Sequence, residues 1–173
     1  MTDPVSICLL GSRGRMGRAL VHLIEGEFAA SCKLASALHS NSSDSEWEDA
    51  MRADVWIDFS LPQSVLRTHR AFRDGGPKGH MPALVMGTTG HHAEQKALLD
   101  EVSLKTLLLQ ASNFSTGVLA LKKVLALISP VLASSGFRPL MVETHHIHKK
   151  DAPSGTALSL ATATRGLTPE RIH

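Results

Sequence analysis

Short apolar runs recur along the first 110 residues, each stopped by turn residues and followed by a stretch of helical period. The run 5–10 reads as a strand ending at Gly11, after which Ala19, Leu20, Leu23 and Ile24 recur at the spacing of one helix face. A second strand is expected at 33–38, a third at 54–60, a fourth at 83–86 and a fifth at 107–109. Helices are expected over 64–74, opened by Pro62 and closed by the glycines at 75 and 76, and over 94–102. The polar stretch 40–49 reads as a turn-rich loop. A longer apolar helix follows at 117–129 and is expected to break at Pro130. A short strand at 139–142 and a helix at 156–167 complete the pattern.

Alternation of short strands with helices predicts βαβ units and an α/β fold, a Rossmann-like doubly wound parallel sheet. It covers residues 1–115 as a dinucleotide-binding domain, and 116–173 begins an α+β substrate and oligomerisation domain that reads as incomplete. The loops at the C-terminal strand ends collect Gly, Ser, Thr and Asn, the chemistry of a ligand crevice in such a sheet. The first of these loops carries glycines at 11, 14 and 17, between a strand and a helix. That arrangement fits a pyrophosphate site at a helix N-terminus; a plain turn explains the residues alone about as well, and their place on the first strand favours the nucleotide. His39 stands about twenty residues on, where an acidic residue usually grips the ribose. Without that carboxylate the site leans toward NADP(H), with Arg13 or Arg15 as positive charge.

Composition narrows the function classes. A net charge of +2 on 173 residues gives no electrostatic case for nucleic acid or a membrane surface. Two cysteines, Cys8 and Cys32, form no disulfide framework and fit a reducing cytoplasm. The first residues offer no basic leader, and the apolar segment 118–133, interrupted by Lys122, Lys123 and Pro130, is expected to fall short of a membrane span.

Titratable chemistry concentrates in residues 143–157, where His145, His146, His148, Lys149 and Lys150 precede a helix start at Ser154, Gly155 and Thr156. An imidazole near neutral pH suits proton transfer, Lys149 suits a carboxylate, and free helix amides suit a second one. Two other readings compete: a metal site using His146 and His148, with His91 or His92, and a solvated basic loop. The lysines oppose a cation, and the adjacent capped helix argues against the loop.

These residues carry a resemblance. The Gly11, Gly14, Arg15, Met16, Gly17 turn, Asp58-Phe59-Ser60, Gly87-Thr88-Thr89-Gly90, Ala111-Ser112-Asn113-Phe114-Ser115, and the run from His145 through Lys149 to Ala157 occur in the order found in 4-hydroxy-tetrahydrodipicolinate reductases. The chain resembles that family, also called dihydrodipicolinate reductases, of lysine and diaminopimelate biosynthesis. The resemblance implies hydride transfer from NADPH or NADH to a cyclic dicarboxylate, with His145 as proton donor and Lys149 completing the catalytic pair. It implies substrate contacts from His146, Ser154, Gly155 and Thr156. Cofactor contacts are implied for Gly11, Ser12, Arg13, Gly14, Arg15, Met16, His39, Gly87, Thr88, Thr89, Ala111, Ser112, Asn113 and Phe114. Family members form homotetramers through a sheet that this sequence does not complete. A nucleotide-binding module without catalysis is therefore the alternative.

Overall fold

The computed structural model describes residues 3–145 and 152–173. The chain falls into two compact units, Met1–Gln110 and Ala111–His173.

The first unit contains β1 (Val5–Leu10), α1 (Arg15–Glu25), β2 (Cys32–Leu38), α2 (Asp44–Ala50), β3 (Val55–Asp58), α3 (Val65–Asp74), β4 (Ala83–Met86), α4 (Ala93–Ser103) and β5 (Leu108–Gln110). The five strands form one parallel sheet in the order β2-β1-β3-β4-β5. Strand order reverses between β1 and β3, so the crevice beyond their C-terminal ends is the position where doubly wound sheets take ligands. The burial of each strand follows from its place. In central β1, Ile7, Cys8, Leu9 and Leu10 are all buried, as expected with both faces covered, whereas edge strand β2 alternates between exposed and half-buried positions.

The core on one side gathers Trp56 from β3, Phe72 from α3 and Trp47 from α2. Trp56 meets Phe72 and Trp47 edge-on, at centroid distances of 5.1 and 5.6 Å. This cluster explains an element that the polarity of 40–49 conceals. Residues 44–50 form a helix, not a loop, because Trp47 and Ala50 turn inward and Ser43 with Glu46 forms a reciprocal capping box. The third strand is also shorter than expected: it stops at Asp58, and the Ser60 amide turns back to donate to the Asp58 carboxyl group at 2.7 Å.

The second unit contains α5 (Thr116–Ser134) and α6 (Gly155–Thr162). Pro130 does not break α5; proline φ is compatible with a helix and only one donor is lost, so the helix runs on to Ser134. At 19 residues with a mean hydropathy of 1.7, α5 is by length and composition long and apolar enough to cross a membrane, contrary to the sequence expectation. Its Lys122 instead donates to Ser159 Oγ on α6 at 2.9 Å. The segment 139–142 forms no full strand; Met141 makes one parallel bridge to Ile172, with Glu143 N–H donating to the His173 carbonyl at 2.7 Å. Helix α6 ends at Thr162, short of 167, and the chain turns at Gly166.

Candidate functional site

In the first unit the crevice is built from three strand-end turns. Leu10 delivers Gly11 with φ +80°, a conformation natural only for glycine, and a Cβ there would lie 2.6 Å from the Phe59 carbonyl oxygen. The glycine turn and the end of β3 are thus in backbone contact, and Phe59 N–H donates to the Leu10 carbonyl at 3.1 Å. A Cβ on Gly17 would collide with the Gly11 carbonyl and the Ser12 backbone, so α1 rests directly on the turn. Gly14 is the N-cap of α1 and brings no side chain to occupy the helix start. The first amides of the helix are left for another acceptor, as at an anion site.

Around this cradle the side chains divide by orientation. Ser12 is buried and its Oγ donates to the Leu38 carbonyl at 3.1 Å, tying the turn to the end of β2. Arg13, Arg15 and Met16 are exposed, with Met16 at 51%. His39 is half-buried, and its Nδ1 accepts from the Asn41 amide at 3.1 Å. Residue 39 supplies no carboxylate, but α2 brings one to the same end. Glu46 is held below the usual carboxylate range by the Ser43 amide and hydroxyl first, with the His39 and Arg13 charges adding to the effect.

At the end of β4, Thr88 is buried and Thr89 and Gly90 are exposed. Thr88 Oγ1 donates to Asp58 Oδ1 at 2.9 Å, so its hydroxyl points into the protein. His91 follows, 7% exposed, and its Nε2 has no hydrogen-bond partner. Burial holds the His91 imidazole below its ordinary range, with Lys96 and His92 in the same direction and Asp58 opposing. Burial, and then the Asp58 charge, push the Cys8 thiol up, which keeps it protonated and inert. Phe59 and Ser60 belong to this rim although the sequence reading gave them no role; their place directly after a β3 apolar run was the available signal.

In the second unit the structure joins residues expected in different roles. Asn113 Nδ2 donates to Thr156 Oγ1 at 3.1 Å, and Asn113 Oδ1 accepts from the Ser115 amide at 2.6 Å. Ala111, Ser112 and Phe114 lie on the same segment, half-buried to exposed. Ser154 is buried and caps α6, its Oγ accepting from the Ala157 amide at 3.0 Å; Gly155 and Thr156 form the first turn. Glu143, unassigned from sequence, joins this helix start to the histidine segment. Its Oε1 accepts from the Ser154 amide at 2.7 Å and its Oε2 lies 2.9 Å from His145 Nε2. The bonds from Ser154, with His145 adding to them, hold the Glu143 carboxyl below the usual carboxylate range. An ionised carboxylate there orients the ring. His146 and Lys149 lie outside the described residues, as does His148 of the metal alternative.

Comparison with known proteins covers both units. Residues 5–114 match the family model described as dihydrodipicolinate reductase, N-terminus, and residues 117–172 match dihydrodipicolinate reductase, C-terminus. The chain is 35% identical to the 4-hydroxy-tetrahydrodipicolinate reductase of Caulobacter vibrioides, over 99% of this chain and 68% of that protein. The protein of the same name from Wolinella succinogenes is 36% identical over 96% of this chain and 68% of its own. For that from Burkholderia multivorans the figures are 34%, 94% and 66%. The chain thus spans about two thirds of the length of these relatives. Among solved structures, a dipicolinate-bound dihydrodipicolinate reductase from Paenisporosarcina sp. TG-14 superposes with a TM-score of 0.66 at 23% identity, over 96% of this chain and 68% of that one, which agrees with the fold.

Proposed function

Because the chain belongs to the dihydrodipicolinate reductase family, we propose that it serves the NADPH- or NADH-dependent reduction of 4-hydroxy-tetrahydrodipicolinate in lysine and diaminopimelate biosynthesis. The observation that carries this reading is the match of both family models, in order, along nearly the whole chain.

The residues fit a pyridine nucleotide. The uncapped start of α1, with no side chain on Gly14, makes a cradle for a pyrophosphate, and the close backbone packing at Gly11 and Gly17 fixes the turn that presents it. Gly11, Ser12, Arg13, Gly14, Arg15 and Met16 would hold it, with His39 toward the ribose and Gly87, Thr88 and Thr89 along the sheet edge; the resemblance names Ala111, Ser112, Asn113 and Phe114 of the second unit as further cofactor contacts. When bound, the reduced nicotinamide supplies a hydride. His145 then provides the proton, oriented by Glu143 at 2.9 Å, and Lys149 completes the catalytic pair. His146 and the α6 start at Ser154, Gly155 and Thr156 receive the substrate carboxylates, the helix amides supplying donors.

In this reading residues 1–115 bind the nucleotide and 116–173 begin the substrate and oligomerisation domain. Location is cytoplasmic, family members assemble as homotetramers by the resemblance, and neither nucleic acid nor membrane is a partner. Two adjacent lysines inside α5, each costing about 3 kcal/mol at a bilayer centre, favour a helix of a soluble protein. The lack of an acid at position 39 favours at least equal affinity for NADPH. The test is oxidation of NADPH and NADH followed with freshly generated substrate. Turnover supports the reading; tight nucleotide binding without turnover would favour the non-catalytic module.

A further inference from the structure

We infer that Asp58 is a positioning residue of the nucleotide crevice: its buried side chain holds Ser60 and Thr88, and with them the loops after β3 and β4, in place for the nucleotide. Resting on the nucleotide reading above, this assigns Thr88 an indirect role, acting through Asp58 and not through a hydroxyl offered to the ligand.

Asp58 is fully buried. It is the last residue of β3, in register with Leu10 of β1 and Met86 of β4, so it lies beneath the point where the strand order reverses. Its Oδ1 accepts from the Ser60 amide at 2.7 Å, from Ser60 Oγ at 2.5 Å and from Thr88 Oγ1 at 2.9 Å. Oδ2 lies 3.4 Å from Ser64 Oγ in the turn Pro62–Ser64, and the Ser60 and Ser64 hydroxyls are 2.7 Å apart. A hydroxyl carries one proton. Ser60 donates to Asp58 through both its amide and its hydroxyl, while the Ser64 hydroxyl also has the Leu61 carbonyl at 2.8 Å as acceptor, so the start of the β3 loop is tied to the carboxyl group through Ser60. The Asp58 carbonyl also accepts from the Gly87 amide at 2.8 Å.

A carboxyl group in a sheet core is unfavourable unless its oxygens are matched by donors. Among the described residues no lysine or arginine forms a salt bridge with Asp58. The matching donors come instead from Ser60 and Thr88, on the two loops that border the crevice. Thr88 is 5% exposed and committed inward, while its neighbour Thr89 is exposed. The site thus splits into a threonine that sets loop position and a threonine free to meet a ligand.

The test measures NADPH affinity by calorimetry and amide exchange without nucleotide, on the same chain. Asp58→Ala is expected to weaken NADPH binding on the order of tenfold and to speed exchange of the Ser60 amide by a similar factor, since bonds to a carboxylate are among the stronger ones. Asp58→Asn keeps an acceptor oxygen and is expected to recover binding to within about threefold of the parent, whereas Asp58→Leu, which fills the space without an acceptor, is expected to stay as weak as Asp58→Ala. If Asp58→Ala does not fold, Thr88→Val is expected to weaken binding and Thr88→Ser, which keeps the hydroxyl, to restore it. Parent-like NADPH affinity in a folded Asp58→Ala or in Thr88→Val overturns the inference, as does unchanged Ser60 exchange in Asp58→Ala. A parent chain that binds neither NADPH nor NADH defeats the nucleotide reading, and the exchange measurement still decides whether Asp58 holds the loops.

Discussion

At the scale of single residues, the candidate sites depend on polar groups held by specific partners. His145→Ala is expected to lower kcat by roughly a hundredfold or more, as for loss of a positioned general acid, measured at saturating nucleotide and substrate. Glu143→Gln keeps a hydrogen-bonding oxygen but removes the charge beside His145; kcat is expected to fall while NADPH affinity stays near that of the parent. His91 makes a prediction about pH. Its folded-state proton affinity lies below the ordinary value of 6.5, because burial disfavours the imidazolium. The unfolded chain therefore binds the proton more readily, and stability is lost as pH falls below about 6.5 toward the folded value. His91→Leu also removes an unpartnered nitrogen, so urea midpoints from pH 7.5 to 5 are expected to decline less steeply in the variant. A parallel decline in both proteins would exclude His91 as the source.

Elements show how the local code and the packed environment divide the work. Helix α2 starts with a legible signal, Ser43 followed three residues later by Glu46, yet its serine-rich setting reads as a loop until Trp47 is seen against Trp56. Ser43→Ala is expected to cost about 1 kcal/mol of stability, read as a lower urea midpoint at unchanged slope. The tryptophans separate by their polar atoms. Trp56 Nε1 donates to the Ala50 carbonyl at 2.8 Å, whereas Trp47 Nε1 is buried without a partner. Trp56→Phe is thus expected to destabilise more than Trp47→Phe, by about 1 kcal/mol for the lost hydrogen bond, the Ala50 carbonyl keeping its bond from the Ala53 amide, in the same denaturation measurement. Helix α5 teaches the opposite lesson from α2. Pro130 is a local stop signal, but Pro130 keeps helical φ and the chain continues to Ser134, so a breaker read in isolation overstated its effect.

For the whole molecule, the prediction is one of cofactor choice: NADPH is expected to bind at least as tightly as NADH, by calorimetry on the chain. Glu46 is the residue to change if NADH is preferred, since it brings the carboxylate that position 39 lacks. The five parallel strands, the glycine turn on the first of them and the ordered family motifs were legible in the sequence, because periodicity, turn chemistry and motif spacing are local properties of the chain. Strand order was not, nor was the existence of α2, nor the direction in which a hydroxyl points. Ser12 meets Leu38 across 26 residues and Thr88 meets Asp58 across 30. Glu143 acquires its role only when Ser154, eleven residues on, is brought to its carboxylate. Such partners are chosen by which backbone segments the packed sheet and helices bring within 3 Å, and no local pattern encodes that distance. The sequence by itself determined the family and the kinds of groups available, while the tertiary structure decided which of those groups are exposed at the strand ends and which, like Thr88 and Ser12, are turned inward to bond the rest of the chain, because only packing sets those distances.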